Sequence, residues 1–224
     1  MIRRRLHYIK NFSGAKIALL LIGLGSTLIF GILGLGPIDL IERIVVHEEM
    51  DPARKLFNNF GHLIFYISAV LLQVKTIPEI FYNLPVIERI RQRESLRLFK
   101  EVIKWIVLYV MIYLLLQIAV FLPFMNQDSI KLLIYTFTGI ALSLLVYSFI
   151  LLIVTRFIPE PGSFIIVLIL LTINLYLESP YLISVTSHQS EWLKINMGLN
   201  TAYLIVLIGI SYILYKKTEI LGRE

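Results

Sequence analysis

Six apolar segments, and the exclusion of every proline from their interiors, constrain this chain more than any other feature. The segments run Ala15–Leu35, Phe60–Val74, Trp105–Leu122, Leu132–Thr155, Phe164–Leu177 and Ala202–Tyr215. The eight prolines, at positions 37, 52, 78, 85, 123, 159, 161 and 180, fall between the segments or at their edges. Proline breaks the backbone ladder, and hydrocarbon offers no replacement partner, so this placement predicts membrane helices. Apolar–polar alternation of period two is absent, which argues against a membrane β-barrel. Composition agrees: 58% of the 224 residues are hydrophobic and only 16% charged. Too little charge remains to cover the surface of a water-soluble fold.

The expected architecture is all-α, a polytopic membrane protein with a single transmembrane domain over 1–224. Its six spans are placed at about 15–35, 60–77, 105–122, 132–155, 164–178 and 200–215. The basic leader MIRRRLHYIKNFSGAK has the charge of a signal peptide. The apolar run behind it is long, and Gly34-Leu35-Gly36-Pro37 makes a poor cleavage site, so it reads as a retained first span. Asp128-Ser129, Ser163 and Asn200-Thr201 stand where helix N-caps are wanted.

Lysine and arginine set the orientation. With both termini cytoplasmic, all but five of the 21 basic residues lie inside, the exceptions being Arg43, Arg54, Lys55, Lys131 and Lys194. That asymmetry is the positive-inside bias. It also accounts for the net charge of +6 without a nucleic-acid partner. The basic, multi-pass chain is expected in a cell membrane, the bacterial cytoplasmic membrane in the first instance.

Two connections stand out. Residues 76–104 form a charged inner segment with helical periodicity. Ile87, Ile90, Leu98, Phe99 and Val102 alternate there with Arg89, Arg93, Arg97 and Lys100. A bent entry at Pro78 and Pro85 followed by an amphipathic surface helix is expected, suited to docking a soluble partner. The outer connection, 179–200, is too apolar for a free loop and follows a short fifth span. A re-entrant segment dipping into the outer leaflet accounts for both.

Catalytic constellations are sparse. The chain has no phosphate-binding loop, no HExxH and no cysteine, and its histidines (7, 47, 62 and 188) are scattered and read as polar interfacial residues. The chain is therefore not expected to be an enzyme, to bind a metal or to carry a cofactor. Glu48-Glu49 with Arg54 approaches the paired-glutamate pattern of CAAX-type intramembrane proteases. Four residues separate Glu49 from Arg54, however, and Pro52 interrupts the segment. The mid-span polar residues Gln117, Ser143, Ser148, Thr172 and Asn174 are read first as helix–helix hydrogen-bonding groups. Gly23, Thr27 and Gly31 form a small-residue stripe for close helix approach, within the bundle or in a homodimer.

Taken together, six spans with both ends inside, Arg93-Glu94 in a basic helix between spans two and three, and the apolar outer re-entry resemble the permease subunits of type-2 ABC exporters. Where many members carry a Gly after the Arg-Glu pair, this chain has Ser95. The resemblance implies a cytoplasmic coupling helix that docks on a separate ATP-binding subunit, present in two copies, through Glu88, Arg89, Arg93, Glu94 and Arg97. It implies a second permease copy or a related permease, with Gly23, Gly31 and Asn174 lining the dimer contact or the path. ATP and Mg would sit in the partner, and the cargo would be an amphipathic or hydrophobic peptide, lipid or drug-like molecule. The rival readings are a CAAX-type protease and a non-transporting immunity or assembly protein.

Overall fold

The computed structural model describes residues 14–32, 60–74, 95–124, 129–176, 181–183 and 190–221. Among them six α-helices follow in order: α1 (Gly14–Ile32), α2 (Phe60–Leu71), α3 (Ser95–Phe121), α4 (Ser129–Val154), α5 (Glu160–Tyr176) and α6 (Ser190–Leu221). A single 3-10 turn, Leu122–Phe124, closes α3 at Pro123. No strand occurs among the described residues. Three stretches, Phe99–Phe124, Thr136–Val154 and Leu193–Lys216, are long and apolar enough to cross a bilayer. Among the described residues, the apolar stretches Lys16–Ile29, Phe60–Gln73 and Pro161–Asn174 of α1, α2 and α5 are shorter.

Two helices begin earlier than the apolar runs predict. α3 starts at Ser95 and not near 105, so the end of the charged segment 76–104 is the first part of the same helix. α6 starts at Ser190 and not near 200, which turns the second half of the expected outer re-entry into regular helix. Hydropathy marks only the part of a helix that is uniformly apolar, whereas the backbone ladder continues through amphipathic turns such as Leu98-Phe99-Lys100 and Leu193-Lys194-Ile195. Asn200 therefore lies well inside α6 and caps nothing, and Ser163 lies in the first turn of α5, donating its own backbone N–H to Pro159 O at 3.0 Å. α4 does begin at Ser129. The second span narrows to α2 with a turn through Val74.

α4 is the axis of the bundle. It packs against α6 most extensively and also touches α2, α3 and α5, while α1 lies on α2 and α3. Short turns enforce antiparallel neighbours: Phe157 N and Ile158 N both donate to Val154 O at 3.0 Å, and Pro161 sits in the first turn of α5, where its missing N–H costs nothing. The main core joins Phe65, Tyr66 and Val70 of α2, Tyr113 and Leu114 of α3, Ile140, Leu144 and Tyr147 of α4, and Val167 and Leu171 of α5. A second cluster at the far end unites Phe99, Val102 and Ile106 of α3 with Phe149 and Leu152 of α4 and Tyr215 of α6. Phe99 lies 5.3 Å from Tyr212 and 6.2 Å from Tyr215, ring centre to ring centre.

Polarity is distributed opposite to that of a soluble protein. Ile17, Leu21, Ile22, Leu28 and Ile29 of α1, Leu108, Met111, Ile112 and Leu115 of α3, and Ile165, Ile169 and Ile173 of α5 all face outward. Serine, threonine, asparagine and glutamine fill interior positions instead. An apolar exterior of this extent needs lipid or protein to cover it.

Candidate functional site

The polar interior divides into two junctions. The first joins α1, α2 and α3. Tyr113 Oη donates to Phe65 O at 2.8 Å, and Thr27 Oγ1 lies 2.5 Å from Gln117 Oε1 and 2.9 Å from Gly23 O. Gly23 lets α1 approach: a Cβ there would meet Ser68 Cβ at 3.0 Å, Ser68 Oγ at 3.1 Å and Tyr113 Oη at 3.2 Å. The stripe read from the sequence thus serves, at Gly23 and Thr27, packing within one chain. Gly31 lies at the end of α1.

The second junction joins α4, α5 and α6 around residues 181–183, a non-helical stretch between α5 and α6. Its backbone polar groups are taken by side chains from all three helices. Ile183 N donates to Asn174 Oδ1 at 3.3 Å, and Ile183 O accepts from Ser143 Oγ at 2.5 Å and from Asn200 Nδ2 at 3.0 Å. Leu182 O accepts from Asn196 Nδ2 at 2.5 Å, and Tyr181 O from Tyr203 Oη at 3.2 Å. Asn196 and Asn200, four apart on α6, share one face, and Asn200 Nδ2 also donates to Asn196 Oδ1 at 2.9 Å. Asn174 Nδ2 reaches Tyr147 Oη at 3.0 Å and Leu170 O at 2.7 Å, fixing its own carbonyl toward Ile183.

Ser143 stands about 21 Å along α4 from Ser129, and about 16 Å beyond Leu132, where the apolar run opens. Non-helical backbone at that depth is tolerated only when protein satisfies it. Ile183 meets α5 through Asn174, near the last described turn of that helix.

The mid-span polar residues thus split into two kinds. Gln117, Ser143 and Asn174 bridge to another segment. Ser148 and Thr172 bond back to Leu144 O at 2.6 Å and Leu168 O at 2.9 Å within their own helices. Ser143→Ala is accordingly expected to lower the unfolding free energy in detergent by about 1–2 kcal/mol, and Ser148→Ala to change it by less than about 0.5 kcal/mol. Equal losses in the two variants would contradict this division.

Asn196, Asn200, Tyr113 and Tyr147 belong to these junctions and carry no sequence signal beyond the i, i+4 spacing of the two asparagines. His62, read as interfacial, is buried instead, its ring centre 4.7 Å from that of Tyr66. Among the described residues no buried side chain is a carboxylate, an ammonium or a guanidinium, and no cluster of metal-binding side chains occurs. Of the residues expected to dock a partner, Arg97 lies in the first turn of α3, while Glu88, Arg89, Arg93 and Glu94 lie outside the described residues. So do Glu48, Glu49 and Arg54 of the protease-like pattern. Compared with models of protein families, with curated proteins and with solved structures, the chain matches none.

Proposed function

We propose that this protein is the permease subunit of an ATP-driven exporter: six spans, both termini cytoplasmic, working as a pair in the bacterial cytoplasmic membrane with two copies of a separate ATP-binding subunit. One observation carries the reading. α3 runs as an unbroken helix from Ser95, inside the charged inner stretch, to Phe121, a length of about 40 Å. A force that reaches the first turn of this helix, at Ser95 to Arg97, enters a rod that is unbroken as far as Phe121. Phe99, Val102 and Ile106 at its base pack on α4 and α6, so a tilt of the rod reaches the helices that hold 181–183. Such an element converts a contact at the membrane surface into a change of packing, biased by the nucleotide state of the partner. The cargo proposed is an amphipathic or hydrophobic molecule, matched to an interior of hydroxyls, carboxamides and aliphatic groups.

The charge-reversed pair Arg93→Glu with Glu94→Arg tests the proposal. In proteoliposomes containing the ATP-binding subunit, it is expected to reduce substrate-stimulated ATP hydrolysis about tenfold or more, the equivalent of a lost charged docking contact, while membrane insertion is preserved. Unchanged coupling, or full activity of the permease alone without nucleotide, refutes it. Loss of a proteolytic activity on replacing Glu48 and Glu49 would favour the protease reading instead.

A further inference from the structure

The hydrogen bonds around residues 181–183 do not balance. Asn200 is fully buried, and its Nδ2 group has two hydrogens facing three acceptors: Asn196 Oδ1 at 2.9 Å, Ile183 O at 3.0 Å and Ser143 Oγ at 3.1 Å. Its Oδ1 is buried with no partner. Exchanging the two amide atoms would turn the Asn200 oxygen toward Asn196 Oδ1 and Ile183 O, two acceptors with no hydrogen to give. A buried acceptor left unmet costs about 1–3 kcal/mol, more than a single net hydrogen bond returns. Tyr181 is largely exposed, and side-chain bonds from Asn174, Ser143, Asn196, Asn200 and Tyr203 hold backbone groups of residues 181–183.

We propose that residues 181–183 form a releasable strap, latched by the carboxamides of Asn196 and Asn200, which withdraws from between α4, α5 and α6 as a unit while the helices stay packed. The unmet Asn200 Oδ1 keeps the latched state from lying in a deep minimum. Withdrawal gives both carboxamide atoms access to water or to a donor on an incoming molecule, and it opens the bundle at the level of Ser143. The strap acts this way whether or not an ATPase drives the protein.

The chain contains no cysteine, so one introduced thiol reports on one place. Leu182→Cys keeps the backbone carbonyl that Asn196 holds, and Ser148→Cys places a thiol in the buried interior of α4. Both are tested in the full-length protein, in open membrane fragments, with a charged maleimide that reaches either face. In the Asn200→Ala background the strap thiol is expected to react at least about tenfold faster than in the otherwise unaltered chain, and in the Asn196→Ala background by an intermediate factor. The Ser148→Cys thiol is expected to stay protected in every background. Equal rates at position 182 in all three backgrounds overturn the latch. Exposure of the Ser148→Cys thiol by Asn200→Ala overturns it as well, since the carboxamides would then hold the helices together. Should Asn200→Ala fail to accumulate, the Asn196→Ala rate alone decides between latch and no latch.

Discussion

Truncating Tyr147 to alanine is expected to lower stability by about 3 kcal/mol or more, the low end of the range for emptying a large buried aromatic position. Tyr147 is fully buried on the central helix and packs edge-to-face on Tyr66 at 5.9 Å between ring centres. The row continues from Tyr66 to Phe65 at 5.6 Å and from Phe65 to Tyr113 at 5.3 Å, tying α4 to α2 and α2 to α3. In a bilayer the expected loss comes from vacated contacts more than from solvent transfer, because lipid tails are as apolar as the core. Tyr147→Phe keeps the ring and removes only the acceptor for Asn174 Nδ2, so about 1 kcal/mol is expected. Denaturation midpoints in mixed micelles would separate the two. A phenylalanine variant as unstable as the alanine variant would show that the hydroxyl, and not the packing, holds this part of the bundle.

The second large effect is expected at Gly23. A single added carbon already crowds Ser68 and Tyr113, so Gly23→Leu must lift α1 from α2 and α3, at a cost of about 3 kcal/mol. Gly25, two residues on, has nothing within 4 Å of its Cβ position, and Gly25→Leu is expected to be tolerated. Separation of α1 can be read directly. Thr27→Cys with Gln117→Cys, at positions whose natural side chains meet end to end at 2.5 Å, is expected to be bridged by a short bifunctional thiol reagent in the parent and in Gly25→Leu but not in Gly23→Leu. Cross-linking in all three would show that α1 accommodates the bulk without moving.

Much of this architecture was legible in the chain. Of the prolines, 123, 159 and 161 lie among the described residues, and each falls at a helix end, because a membrane gives a broken ladder nowhere to go; Ser129 announced α4 as a small polar residue ahead of an apolar run. Asn174 stood out as a polar group within a span, and it does reach another helix. Boundaries were misread where amphipathic turns extend a helix beyond its apolar run, at Ser95 and at Ser190. That error turned Asn200 into a cap and hid its pairing with Asn196. Tyr113 and Tyr147 were invisible for a different reason. An aromatic residue in an apolar run reads as bulk, and only the neighbouring helices reveal that its hydroxyl meets Phe65 O or Asn174.

The neutral composition of the interior has an electrical consequence. The described buried polar groups are hydroxyls, carboxamides and one imidazole, with no fixed ion among them. Membrane voltage does work on moving charge, about 2.3 kcal/mol per elementary charge for each 100 mV. If residues 181–183 leave their seat as proposed, these buried groups carry only dipoles through the field. A rearrangement confined to these buried groups would move no net charge. Depolarising the membrane is then expected to leave the rate of Leu182→Cys labelling unchanged, and a voltage-dependent rate would show that charged groups outside this buried set move with it.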